Sequence, residues 1–141
     1  MAAPILHLSL PVNDLEEARV FYVDVLGCEG GRVRDGWIDV WFYGLQLTLQ
    51  EHPDQVLRAE ERGVRHFGVT LDAEQLATVL ARLASQPTGR QITWLREVST
   101  DYAGTAHEQT KAMIADPSGN AIELKAYADP AAAFAGPDTE G

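Results

Sequence analysis

Apolar and polar positions alternate strictly over residues 5–12, with Leu6, Leu8, Leu10 and Val12 on one face and Ile5, His7 and Ser9 on the other. That period of two predicts a half-buried strand, with His7 on its less apolar face. The period then changes. Asn13 offers an N-cap with Glu16 three positions on, and Leu15, Ala18, Tyr22 and Val25 follow at helical spacing until Gly27 permits a left-handed stop. After a loop at 29–36, the aromatic and β-branched run 37–42 and the run 45–49 predict a hairpin about Tyr43-Gly44. A two-residue turn there sets Asp39, Trp41, Gln46 and Thr48 on one face, and Val40, Phe42, Leu45, Leu47 and Leu49 on the other.

The second half repeats this plan. Residues 65–71 alternate again, and His66 has the parity of His7 while Phe67, Val69 and Leu71 take the apolar face. Asp72 caps a second helix with Gln75 at the box position, and Leu76, Val79, Leu80 and Leu83 form its buried stripe until 85–89 break it. Strands are predicted at 91–98 and 111–115, a tight turn at 116–120 and a last strand at 121–127. Leu45-Gln46-Leu47-Thr48 closes the first half as Ile122-Glu123-Leu124-Lys125 closes the second. His7 to Gln46 spans 39 residues and His66 to Glu123 spans 57. Most of the excess falls in the polar segment 99–109, which reads as an extended loop able to cover a pocket. Segment 52–64 reads as a connector with a short helix, and 129–141, without periodicity, as a tail or an arm on a partner subunit.

At 141 residues the chain has the length of one domain, and its 45% hydrophobic and 23% charged content is that of a globular protein. A formal net charge of -10 repels phosphate backbones and anionic lipid surfaces, so nucleic acid and membranes are not expected partners. Neither a leader-like start nor a run of about 20 apolar residues is present, and a cytoplasmic protein is expected. The lone Cys28 has no basic neighbour in sequence before Arg32 and reads as a structural thiol.

Two segments carry a family resemblance: His7-Leu-Ser-Leu-Pro-Val-Asn-Asp-Leu15, with Phe21-Tyr22 and Leu26-Gly27, and Asp116-Pro-Ser-Gly-Asn-Ala-Ile-Glu-Leu124. The chain resembles the vicinal oxygen chelate superfamily, which includes glyoxalase I, extradiol dioxygenases, methylmalonyl-CoA epimerase, fosfomycin-modifying enzymes and bleomycin-resistance proteins. The resemblance implies an α+β fold of two βαβββ modules, 5–51 and 65–127, joined by the connector 52–64 and followed by a tail, 128–141. Their curved mixed sheets would surround a cleft, the fold of glyoxalase, bleomycin-resistance protein and dihydroxybiphenyl dioxygenase. It also implies a divalent metal on the first and last strands of each module, with His7, Gln46, His66 and Glu123 as ligands. Such proteins often form homodimers, and a swap of modules would bring His7 and Glu123 into one site shared by two subunits.

Two neutral imidazoles and one carboxylate offset only part of a divalent charge and leave coordination positions open, which suits Fe, Mn, Ni, Co or Zn and a small oxygen-rich substrate bound to the metal. Gln46 is a weak neutral ligand. Glyoxalase I generally has a carboxylate there, so the set is closer to methylmalonyl-CoA epimerase, and Asp39 has the face parity to join Glu123 in proton transfer. The His, His, Glu subset also equals the facial triad of extradiol dioxygenases. The expected reaction therefore lies among isomerase or epimerase, lyase and dioxygenase chemistry. Trp41, Tyr102, His107 and Lys125 are the expected substrate contacts, and Arg65, Arg96, Lys111 and Lys125 are scattered cations with no evident cluster. The competing class is a metal-free protein that sequesters an aromatic drug or natural product, with Trp41 and Tyr102 lining the cleft. A plainer reading has each strand histidine as a hydrogen-bonded structural residue and Glu123 paired with Lys125.

Overall fold

The computed structural model describes residues 2–86 and 91–136. Strand β1 (His7–Val12) leads into helix α1 (Leu15–Arg19), which continues as a π-helical turn (Val20–Val25); β2 (Glu29–Arg34), β3 (Trp37–Phe42) and β4 (Leu45–Glu51) complete the first unit. A 3-10 turn (Pro53–Gln55) and a short helix α2 (Ala59–Arg62) connect to the second unit: β5 (Phe67–Leu71), α3 (Ala73–Ala84), β6 (Thr93–Asp101), β7 (Gln109–Ala115) and β8 (Ala121–Tyr127). A further 3-10 turn, Pro130–Phe134, follows. The units form two four-stranded sheets, ordered β1-β4-β3-β2 and β5-β8-β7-β6, in which the first strand pairs parallel to the last and the remaining pairs are antiparallel. This is the α+β fold of two βαβββ modules.

Local chemistry explains the elements that place the site. Tyr43 (φ 49°) and Gly44 (φ 88°) both take the left-handed conformation that a two-residue hairpin turn requires. The resulting register pairs Trp41 with Gln46 and Asp39 with Thr48, the one that such a turn predicts. Asp72 accepts from the Gln75 backbone N–H while the Gln75 side chain accepts from the Asp72 N–H, and α3 buries Leu76, Val79 and Leu83. One face of each sheet enters a common core: Ile38, Val40, Phe42, Leu47 and Leu49 from the first, and Leu71, Ile114, Ile122 and Leu124 from the second. The rings of Phe42 and Phe67 meet edge to face at 5.2 Å, joining the two units.

Polar ties also cross between the units. The Tyr22 hydroxyl donates to Asp116 Oδ2 at 2.7 Å, Asn120 Nδ2 donates to the Pro11 carbonyl at 3.1 Å, and the Asn13 N–H donates to Ser118 Oγ at 2.8 Å. Asp116 also accepts from the backbone N–H groups of Ser118 and Asn120 and from Asn120 Nδ2, each at 2.9 Å. In return, the Arg82 guanidinium on α3 donates to the carbonyls of Val25 and Asp24. The turn at 116–120 is thus a joint as well as a reversal.

Several boundaries differ from the sequence expectations. The cap of α1 is Asp14, whose side chain accepts from the Glu17 N–H, while Asn13 lies one residue earlier with its backbone N–H donating to Ser118 Oγ. Residues 29–34, expected as loop, form β2, an exposed edge strand with an irregularity between Gly30 and Val33. Strand β5 begins at Phe67, so His66 lies just before it. Strands β6 and β7 extend to Asp101 and from Gln109, which reduces the expected loop 99–109 to a turn over 102–108. The break after α3 and the end of the tail fall partly on residues 87–90 and 137–141, outside the described residues.

Candidate functional site

In the first module His7 pairs directly with Gln46 across β1 and β4. Its Nδ1 donates to the Gln46 backbone carbonyl at 3.0 Å. A carbonyl oxygen can only accept, so Nδ1 carries the proton and, in the neutral ring, Nε2 presents a bare lone pair. Gln46 neighbours a half-buried Trp41 on the same face. Asp39, two positions before Trp41, is only 3% exposed. Its Oδ2 accepts from Arg32 Nε at 2.9 Å and its Oδ1 from Thr48 Oγ1 at 2.6 Å. The Arg32 guanidinium stacks over the Trp37 ring at 5.1 Å. Sequence reasoning missed Arg32, because it lies in the stretch read as loop and its partner becomes apparent only through the β2–β3 pairing.

The second module is built on a different register. Glu123 on β8 pairs with Gly68, not with His66, so β5 is offset by two residues relative to β1. Gly68 is required there: a Cβ on it would lie 2.0 Å from the Glu123 carbonyl oxygen. His66 Nδ1 donates to the Val64 carbonyl at 2.7 Å, which leaves its Nε2 as an acceptor 3.9 Å from Glu123 Oε2. Lys125 Nζ stands 3.6 Å from Glu123 Oε1. His66, Gly68, Thr70, Glu123 and Lys125 line a cavity of about 320 Å³.

An imidazole lone pair and a carboxylate facing each other across 3.9 Å are two acceptors without a donor between them. A proton or a cation resolves that opposition, and an imidazole nitrogen with a carboxylate oxygen is a donor pair that divalent ions of this class take. The donor chemistry of His7 and of the His66–Glu123 pair therefore fits a metal. Among the described residues of one chain, however, no three of His, Cys, Asp and Glu come together. The expected ligands form two pairs, His7 with Gln46 and His66 with Glu123. Tyr102 and His107 stand exposed on the β6–β7 turn, outside the cavity, and Tyr102 has φ 56°. Arg65 turns toward the carbonyls of Glu61 and Arg62, but Lys111 and Lys125 are direct cross-strand neighbours. Cys28 is buried, and burial pushes its thiol up to about 11, which fits a structural thiol.

The model of the Glyoxalase/Bleomycin resistance protein/Dioxygenase superfamily matches residues 4–124. The chain belongs to that superfamily. A glyoxalase/bleomycin resistance protein/dioxygenase from Alicyclobacillus acidocaldarius is 33% identical, with 92% of this chain and 95% of that one covered at a TM-score of 0.77. The fosfomycin resistance protein FosX from Listeria monocytogenes shares the fold at 16% identity, with 89% and 94% covered and a TM-score of 0.67. No curated protein matches the chain significantly. As a superfamily member the chain has no helix, among the described residues, long and apolar enough to cross a membrane.

Proposed function

We propose that this chain is a divalent-metal-dependent enzyme acting on a small oxygen-rich metabolite. One observation supports the reading above others: in each module a backbone carbonyl holds the histidine Nδ1 proton, so both His7 and His66 offer Nε2, and Glu123 faces the second of them. Such orienting bonds are what metal-binding histidines use to set tautomer and ring angle. His7, His66 and Glu123 would hold the ion, with Gln46 as a fourth or displaceable ligand. A bound ion of this class would polarise a substrate oxygen. In this reading a homodimer completes the site, the His7–Gln46 pair of one protomer meeting His66 and Glu123 of the partner subunit. Proton transfer rests on Glu123, close to the substrate oxygens. Asp39, with both oxygens already engaged, holds Arg32 and the pocket wall beside Gln46. Trp41 supplies an apolar wall, and the β6–β7 turn with Tyr102 and His107 reaches the substrate from outside.

Metal analysis of untagged protein tests the reading. Stoichiometric transition metal lost in His7→Ala and His66→Ala is expected, and only trace metal unchanged by either substitution would replace the enzyme with a metal-free binder of aromatic compounds. Dioxygen uptake with catechols, against deuterium exchange at α-carbons, then divides dioxygenase from isomerase, and neither signal leaves lyase chemistry.

A further inference from the structure

The outward face of the second sheet is ordered in cross-strand rows. One row is Gly68, Glu123, Met113 and Arg96; the next is Thr70, Lys125, Lys111 and Ser99. Paired residues of neighbouring strands, parallel or antiparallel, project to the same side, so the second row sets two ammonium groups between two hydroxyls, one row from Glu123. Three cations, Arg96, Lys111 and Lys125, share this face with Asp101 and Glu123, a local positive excess on a chain of net charge -10. The lysine side chains are only 18% and 29% exposed, so their charges are partly withdrawn from water. Lys111 lies 2.7 Å from Asp101 and Lys125 3.6 Å from Glu123, and Lys125 also lies over the Tyr127 ring at 5.8 Å, contacts that hold both ammonium groups over the sheet.

Ser99 adds an independent observation. Its Oγ is shielded from solvent and has no hydrogen-bond partner, the one such side-chain atom among the described residues. A buried hydroxyl without a partner is costly, and it is retained where something else supplies the partner. We infer that Ser99, Lys111, Lys125 and Thr70 form an oxyanion subsite that binds a carboxylate or phosphoryl group of the substrate. This rests on the reading above in one respect: the anion is the head group of a molecule whose other oxygens face His66 and Glu123.

Titration calorimetry with inorganic phosphate on metal-stripped protein tests the subsite apart from the metal. Lys111→Gln and Lys125→Gln are each expected to weaken binding about tenfold or more. Lys125→Arg should restore most of it, and Arg19→Gln on the far helix should change nothing. Ser99→Ala should weaken binding several-fold yet raise the melting temperature of the phosphate-free protein, because it removes an unpaired buried hydroxyl. Malonate in place of phosphate tells a carboxylate from a phosphoryl preference, and binding of either supports the subsite. Three results would overturn it: binding of neither anion at millimolar concentration, binding unchanged in both lysine variants, or binding that disappears when metal is stripped. Loss of metal from His66→Ala with phosphate binding intact would leave the subsite standing, and retained metal with no anion binding would remove only the subsite.

Discussion

The two modules share a chain plan but differ in register and in charge. In the first, His7 lies opposite Gln46; in the second, the residue opposite Glu123 is Gly68, two positions after His66. An even offset preserves which side chains face outward, so the repeat keeps its parity while changing its geometry. The charges differ as well. The first module closes its only buried carboxylate, Asp39, with Arg32 and Thr48, and presents a neutral Gln46. The second leaves Glu123 open to His66 and sets lysines beside it. One half is an electrically closed wall and the other an open, charged floor.

The sharpest way to break this comparison is to remove the non-histidine ligand proposed for each module. Glu123→Gln is expected to lower affinity for added Zn(II) or Co(II) by about a hundredfold, and Gln46→Ala by about tenfold or less, in chelator competition. Equal losses would mean that the modules contribute alike. The register difference is tested by the two glycines. A Cβ at Gly68 meets the Glu123 backbone oxygen at 2.0 Å, whereas one at Gly31 meets the Asp39 Cβ at 3.0 Å. Urea unfolding should show Gly68→Ala costing about 3 kcal/mol and Gly31→Ala about 1 kcal/mol, since an overlap at 2.0 Å forces β5 and β8 apart, whereas contacts at 3.0 Å and, to the Asp39 carbonyl, 3.2 Å are relieved by a shift of a few tenths of an ångström. A Gly68→Ala as stable as wild type would place β5 in the register of β1.

How much of this could be read beforehand follows from what each signal depends on. Strand β1, the Tyr43-Gly44 hairpin, α3 and β8 were legible because alternation, turn chemistry and a capping box are local. Strands β2 and β6 were hidden or misplaced because most of their residues are exposed and neither has an apolar face. The parity of His7, Gln46, His66 and Glu123 was also legible, since parity needs only counting. The Arg32–Asp39 pair and the row from Thr70 to Ser99 were not, because they exist only once strands separated in sequence are paired with their irregularities in place.

The cross-module ties differ in the same sense, and smaller effects should separate them. Tyr22 is fully buried where its hydroxyl meets Asp116, while Arg82 is exposed. Tyr22→Phe should cost about 1–2 kcal/mol by leaving Asp116 one donor short. Arg82→Met should cost less than about 1 kcal/mol, because Gln86 Nε2 still donates to the Val25 carbonyl at 3.3 Å and Asp24 is exposed to water.

The finest test is the pH dependence of that buried joint. Burial pushes Asp116 above the usual carboxylate range against the pull of Asn120, Tyr22 and Ser118, so the folded state holds this proton more tightly than the unfolded chain does. Its contribution to stability is then complete below the ordinary Asp range and declines as pH rises through the raised value. Asp101 has the opposite sign: Lys111, with Arg96, holds it below its ordinary value, so its contribution is present at neutral pH and lost as acid protonates it in the fold. The Asp101 effect should be slight because that carboxylate is solvated. Asp116→Asn should therefore be less stable than wild type near pH 4, through its mispaired donors, with the gap narrowing toward pH 7. Urea midpoints across that range measure it. A gap that widens with pH would mean that the four donors around Asp116 outweigh its burial, making the joint a site built for the carboxylate's charge.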